Sequence, residues 1–266
     1  LTIMVGGMAT IAGGVMAAFI QMLGQALADV QKIPLAEAQL RFAVQLLSAS
    51  VMAAPASLVI AKVLYPETGD PVTKGTVRLK VEKNASNVIE AAAGGAADGM
   101  HLALNIGAML LAFIALIALV NYLLTGLGDL VHINAYLTAH YGQPLSLQLV
   151  FGVILRYLAI GIGVPAADAF RFGSLFGTKL ALNEFVAYVD LAGLIKQGAM
   201  TPKGIAMATY ALCGFANFSS IAIQIGGISP MAPHRRKDIA SLGLKAVLGG
   251  ALATLMTATL AGILLG

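Results

Sequence analysis

Glu184 lies inside an otherwise apolar stretch, Leu180–Val189, and Asn217, Ser219 and Ser220 break a second one, Thr201–Met231. An ionised carboxylate accepts two hydrogen bonds from vicinal hydroxyls, a geometry suited to a sugar, and its charge strengthens each bond. The competing reading is an ion pair with Lys179, close by in sequence. Asn217, Ser219 and Ser220 offer donors and acceptors, either to solute hydroxyls or as hydrogen-bonding glue between helices. Thr10 and Ile11 sit where another apolar segment weakens between Gly6-Gly7 and Gly13-Gly14. Freed carbonyls and a hydroxyl there make an all-oxygen shell suited to a small hard cation; a glycine-rich packing notch explains the same residues. His101, His132, His140 and His234 show no metal-binding spacing. No glycine-rich phosphate loop follows a strand and no Gly-x-Ser-x-Gly element occurs, which argues against an enzyme.

The surroundings of these residues are greasy. Of 266 residues, 59% are hydrophobic and only 11% charged, with mean hydropathy +0.88. Such a chain belongs in a bilayer, where an ionisable group at mid-span costs about 2.5 kcal/mol or more and faces a cavity or pathway. The expectation is an all-α membrane protein, a transporter with its solute site at mid-membrane, and lipid as its solvent. Leu102–Gly128 contains no Asp, Glu, Lys or Arg, and roughly 20 apolar residues suffice to cross the hydrocarbon core. The chain opens on Leu1 inside an apolar segment with no signal-peptide pattern, so a missing N-terminal part is expected. Cys213 is alone and reads as a small packing residue. The formal charge of +4 comes from scattered Lys and Arg, a pattern of basic cytoplasmic loops and not of nucleic-acid binding.

Apolar segments fall at about Thr2–Ala28, Leu40–Leu64, Leu102–Thr125, Leu145–Val164, Pro165–Gln197, Thr201–Met231 and Ile239–Gly266. Pro55 predicts a kink or local end within the second. A polar loop is read over Pro66–Lys83 and a polar, turn-containing connector over Gly126–Pro144. Gly7–Gly13 (GMATIAG) echoes Gly214–Ser220 (GFANFSS), each in the middle of a span. Inverted repeats whose broken helices meet at the bilayer midplane produce such an echo. Pro66–Lys83 and Pro233–Asp238 are both basic, placing both on the cytoplasmic side. Parity then makes Pro165–Gln197 a re-entrant hairpin with its tip near Asn183-Glu184, and Leu145–Val164 an interfacial helix.

The stretch Gly177–Tyr188 (GTKLALNEFVAY) closely resembles the G-x-K-x-x-x-N-E-F-V-A-Y signature of concentrative nucleoside transporters. Gly7–Val15, Asn87–Met109 and Gly214–Ile221 resemble the same family in the same order. The resemblance implies a cation-coupled symporter of a bacterial inner membrane that imports nucleosides by an elevator movement; a passive channel or facilitator is the alternative. It further implies a homotrimer, sodium or a proton as coupling ion, and no organic cofactor. Carried over, Glu184, Asn217 and Ser220 bind ribose hydroxyls, Phe215 and Val15 line the pocket, and Thr10 and Ile11 contribute to the sodium site. Residues 1–65 and 165–266 would form a transport domain, and 66–164 the interfacial helices and scaffold span. The family's first hairpin is expected upstream of Leu1, leaving the inverted repeat incomplete within this sequence.

Overall fold

The computed structural model describes residues 1–69, 85–228 and 232–265, without the side chains at 102, 105, 106, 109, 110, 113, 114, 117 and 233. The part of the Pro66–Lys83 loop from residue 70 onward therefore lies outside the described residues. Eleven α-helices and a short 3-10 turn make up the described chain, which contains no strand. They are α1 (Thr2–Ala9), α2 (Gly13–Gln31), α3 (Leu35–Leu64), α4 (Val88–Leu130), α5 (Asn134–Tyr141) and α6 (Leu147–Gly161). Then follow α7 (Ala169–Ala181), α8 (Glu184–Lys196), α9 (Pro202–Leu212), α10 (Phe218–Ile228), the turn Pro233–Arg235 and α11 (Arg236–Leu264). Three stretches among them are long and apolar enough to cross a membrane: Thr2–Gln31, Leu35–Leu64 and Arg236–Leu264.

Both interruptions expected from the sequence echo are present. The first segment breaks between α1 and α2, at Thr10–Ala12, while Gly6 and Gly7 remain helical; the second breaks between α9 and α10. The hairpin expected over Pro165–Gln197 is α7 and α8, two helices of 13 residues each. At 1.5 Å per residue each arm is about 20 Å long, too short to cross a hydrocarbon core of about 30 Å.

Two boundaries differ from the sequence reading. Pro55 neither ends nor interrupts α3, which runs for 30 residues through it. The neighbouring Ala53, Ala56 and Ser57 are buried against α1 and α11, and that packing holds the helix where its own hydrogen bond is lost. Likewise, α4 is one helix of 43 residues, longer than the span Leu102–Thr125 and reaching into the connector read over Gly126–Pro144. Its start is fixed by Asn87, whose side chain accepts from the Glu90 amide (2.8 Å), while Glu90 accepts from the Ser86 amide (2.8 Å). That reciprocal cap anchors the first turn, and Gly94, Gly95 and Gly99 do not stop the helix afterwards.

The core lies where α2, α3, α8, α9 and α11 meet, around Phe19, Leu23, Phe42, Leu46, Tyr188, Leu191, Met207 and Leu212. The α6 helix lies along α7, and their backbones approach closely: a Cβ on Gly173 would sit 2.9 Å from the Arg156 nitrogen. The two breaks touch. Gly214 has φ +138, and a Cβ there would lie 2.9 Å from the Ala9 carbonyl and from the Met8 oxygen. Only glycine lets the second break cross the first at this distance.

Gly214→Ala is therefore expected to destabilise the fold by about 1–3 kcal/mol, from backbone strain together with the clash at Ala9. Gly193→Ala is the contrast: it sits within α8 with nothing in contact range of the added methyl, and should shift stability by no more than about 1 kcal/mol. Thermal denaturation in detergent compares the two; equal midpoints would remove the crossing as a constraint.

Candidate functional site

The hairpin tip needs only two residues. Leu182 ends α7 in a non-helical conformation, and Asn183 turns extended to cap α8, its side chain accepting from the Val186 amide (3.0 Å). Glu184 thereby becomes the first helical residue of α8, where unpaired amides and the positive end of the helix dipole favour a carboxylate. Opposite it, Asn217 caps α10. Its side-chain oxygen accepts from the Ser220 amide (2.9 Å), the Ser220 hydroxyl (2.9 Å) and the Ser219 hydroxyl (2.7 Å). Its Nδ2 points the other way and donates to Glu184 Oε2 at 3.4 Å. Asn217 and Ser220 are buried, and Glu184 is half-buried. The structure thus brings the sequence-selected Glu184, Asn217, Ser219 and Ser220 into one cluster, drawn from residues 33 apart.

Lys179 does not serve as the partner that sequence proximity suggested for Glu184. It is fully buried; Nζ donates to the Ala211 carbonyl (2.8 Å) and to Thr254 Oγ1 (3.1 Å), with the Phe176 ring 5.5 Å away. Ala211 belongs to the last turn of α9, whose carbonyls lose their helical partners at the break. Tyr188, also fully buried, donates its hydroxyl to another of these carbonyls, Thr209 (2.8 Å). One arm of the hairpin supplies Lys179, the other Tyr188. Phe19 of α2 packs against the Tyr188 ring (centroids 4.1 Å apart) and reaches Phe185 beside the tip (6.0 Å).

At its mouth the hairpin is tied to the same helix. Asp168, 1% exposed, accepts from the Thr201 hydroxyl (2.5 Å) and the Thr201 amide (3.2 Å). Thr201 in turn caps α9 by accepting from the Gly204 amide (3.1 Å). A Cβ on Gly204 would press on Asp168 at 3.0 Å from its Cβ, so the clamp requires glycine there.

At the first break, the Thr10 hydroxyl donates back to the Gly6 and Gly7 carbonyls (3.1 and 3.3 Å). Among the described residues, no backbone hydrogen bond ends on the Thr10 or Ile11 carbonyl. Two free carbonyls and a hydroxyl fit a hard cation, whereas no group of His, Cys, Asp or Glu suited to a transition metal occurs among the described residues. Thr10 and Ile11 share no hydrogen bond with the Glu184–Asn217 cluster; the Gly214 crossing over Ala9 is what brings the two breaks together. Phe215 is half-buried in the link between α9 and α10, and Val15 is 39% exposed on the first turn of α2. Neither has a described contact with the cluster.

Sequence reasoning passed over Gln224, which follows Asn217 and Ser220 on one face of α10. Its Nε2 donates to the Met4 carbonyl (3.3 Å), and its buried Oε1 has no partner among the described residues. The spacing 217, 220, 224 was the available signal. Asp168 was also passed over, because its partner lies 33 residues away. A cavity of about 880 Å³ lies apart from the cluster, between residues 140–143 and the hairpin mouth, lined in part by Gln148, Phe170, Arg171 and Asp190.

The family model described as Na+ dependent nucleoside transporter C-terminus matches residues 45–262. A Haemophilus influenzae protein named only as an uncharacterized transporter is 47% identical over 268 residues, covering 99% of this chain and 58% of its own length. Nucleoside permease NupC of Helicobacter pylori is 39% identical over 263 residues, 98% of this chain and 56% of its own length. Sodium/nucleoside cotransporter 1 of Sus scrofa is 38% identical over 276 residues, 98% of this chain and 39% of its own length. A solved structure of CNTnw in an inward-facing substrate-bound state superposes with TM-score 0.76 at 41% identity, covering 98% of this chain and 56% of that one. An intermediate state of a CNTnw variant gives TM-score 0.80 at 41% identity, over 100% of this chain and 58% of that one. The chain spans about half the length of the bacterial relatives it matches, and less of the animal one.

The Asp168 clamp has a direct test. Asp168→Ala removes a buried carboxylate and its charge-assisted hydrogen bonds to the exposed Thr201, at a cost of about 1.5–3 kcal/mol. Amide hydrogen exchange should quicken at residues 201–204 in that variant and stay unchanged in α10; uniform quickening would show that the clamp is not local.

Proposed function

Because this chain belongs to the Na+-dependent nucleoside transporter family, we propose that it carries the ribose-binding half of a cation-coupled nucleoside symporter. The chain is an all-α integral membrane protein, and the relatives named above are transporters and permeases, not enzymes. The observation that carries the reading is the Glu184–Asn217–Ser220 cluster. It sets a carboxylate at a helix N-terminus against an amide and a hydroxyl, deep in an apolar fold and at the meeting point of two broken helices.

A ribose presents two adjacent hydroxyls, each a donor and an acceptor. Glu184 accepts from both, while Asn217 Nδ2, held by its contact with Glu184 at only 3.4 Å, turns to donate to a hydroxyl oxygen. Ser220 is fixed by Asn217 and completes the wall. Phe215 and Val15 line the apolar side toward the base. Sodium binds the free oxygens of Thr10 and Ile11; the named function of the porcine relative supports sodium over a proton. Because the two breaks cross at Gly214 and Ala9, a cation that orders the first also orders the second, and by linkage the solute strengthens cation binding to the same degree.

In this reading residues 1–65 and 165–266 form the moving transport domain and 66–164 the scaffold side of a homotrimer in the bacterial inner membrane. The hairpin α7–α8 is re-entrant, its arms being too short to span. Similarity to CNTnw in inward-facing, intermediate and outward-facing states supports an elevator movement. A passive facilitator is the second reading; the discrete polar breaks, in place of a continuous polar stripe, disfavour it.

In proteoliposomes containing the complete protein, a sodium gradient should drive accumulation of uridine or adenosine, abolished by a sodium ionophore. Equilibration without accumulation would establish the facilitator instead. Glu184→Gln loses a charge-assisted hydrogen bond worth about 1.5–3 kcal/mol, so uptake below saturation should fall about 10- to 100-fold at equal membrane abundance. Unchanged uptake would remove Glu184 from the site.

A further inference from the structure

Beyond the Asp168–Thr201 clamp at the mouth, three hydrogen bonds join the tip half of the hairpin to the broken α9–α10 helix, forming a ladder. Tyr188 to Thr209 and Lys179 to Ala211 are short, at 2.8 Å each; the third, Asn217 to Glu184, is long, at 3.4 Å. The first two rungs end on backbone carbonyls that the break itself has exposed. The last joins two side chains and can open to admit a guest. We propose that Lys179 is the positioning residue of the solute site: by seating the α7 arm on the last turn of α9, it sets the distance at which the Glu184 carboxylate faces Asn217. This rests on the nucleoside reading above and extends it to a residue that touches no solute.

The geometry supports that role in three ways. Lys179 sits in the last turn of α7, with only Leu180 and Ala181 between it and the two-residue tip, so its seat lies one helical turn from Glu184. Its second bond, to Thr254, ties the seat to α11, and Thr254 is itself fixed by donating to the Ala251 carbonyl (3.0 Å). The ammonium is also fully buried against the negative end of α9, where helix carbonyls take the place of water. A neutral side chain of similar length fills the same volume but leaves the Ala211 carbonyl without its partner. The α7 arm is then tied to α9 only at its far end, by Asp168 and Thr201, and the tip end depends on Tyr188 of the other arm.

The consequence concerns selectivity for the diol. If Lys179 acts through Glu184, its loss should erase the preference for a ribose over the same nucleoside without its hydroxyls, and do so only while Glu184 is present. The experiment measures KM for uridine and adenosine and for their 2′,3′-dideoxy counterparts in the complete protein, comparing wild type, Lys179→Met, Lys179→Arg, Glu184→Gln and Lys179→Met/Glu184→Gln. The ratio of the KM of the dideoxy compound to that of the parent should fall about tenfold in Lys179→Met, the size expected for one charge-assisted bond. It should be partly restored in Lys179→Arg, and it should fall no further in the double variant than in Glu184→Gln alone. A Lys179→Met protein that keeps the wild-type ratio and loses only maximal rate or abundance overturns the proposal.

A second readout needs no solute. Cys213 is buried at the end of α9, beside the Lys179 seat. Its alkylation, followed by peptide mass spectrometry, should quicken about tenfold in Lys179→Met and stay slow in Glu184→Gln. If wild type imports neither nucleoside, the functional reading fails, and the alkylation rates alone decide the seating. Equal rates in Lys179→Met and wild type overturn it.

Discussion

A helix broken inside a membrane protein must dispose of its own backbone. The last turn of α9 leaves carbonyls without amide partners, and the first turn of α10 leaves amides without carbonyls, in surroundings that offer no water. Every distinctive feature of the cluster answers that problem. Lys179 and Tyr188 reach in from the two arms of the hairpin to meet Ala211 and Thr209, while Asn217 caps α10. The same groups that settle the backbone also fix the hairpin tip against the break. The position of Glu184 is therefore a by-product of backbone satisfaction, and the site cannot be loosened without exposing orphaned peptide groups.

The rest of the fold serves this junction. At the hairpin mouth, Asp168 and Thr201 anchor α7 to the start of α9, so the hairpin is held at both ends of a single 11-residue helix. Phe19 packs α2 against Tyr188, joining the segment after the first break to the seat of the second. Gly214 lets the breaks cross with carbonyl oxygens 2.9 Å from where a methyl would be. Two weak points of the chain, placed together, become a rigid crossing.

What the sequence revealed follows from how the information is stored. Glu184 and Asn217 were legible because polar residues within apolar runs are costly and must have a use. The breaks were legible through two short strings of small residues, and the hairpin through the parity of basic loops. The partner of Lys179 was not: nearness in sequence favoured Glu184, whereas the actual acceptor, Ala211, is a backbone atom, and no residue type announces it. Asp168 escaped for a related reason, since its amide and hydroxyl donors become neighbours only through folding. Pro55 does not end α3, because packing from α1 and α11 carries the helix through the position that lacks its own hydrogen bond. The full length of α4 was hidden because glycines at 94, 95 and 99 weaken a helix without ending it.

The balance of formal charge along the hairpin has an electrical consequence. From Asp168 to Lys196 the chain carries three acids, Asp168, Glu184 and Asp190, and three bases, Arg171, Lys179 and Lys196. A unit charge crossing a potential of 100 mV gains or loses about 2.3 kcal/mol, but a body whose formal charges cancel exchanges almost none of that work. Voltage across the membrane would then neither push this element nor hold it back. Any voltage sensitivity of a displacement would then come from a bound cation and from charges outside this hairpin, such as Lys203 and Lys245.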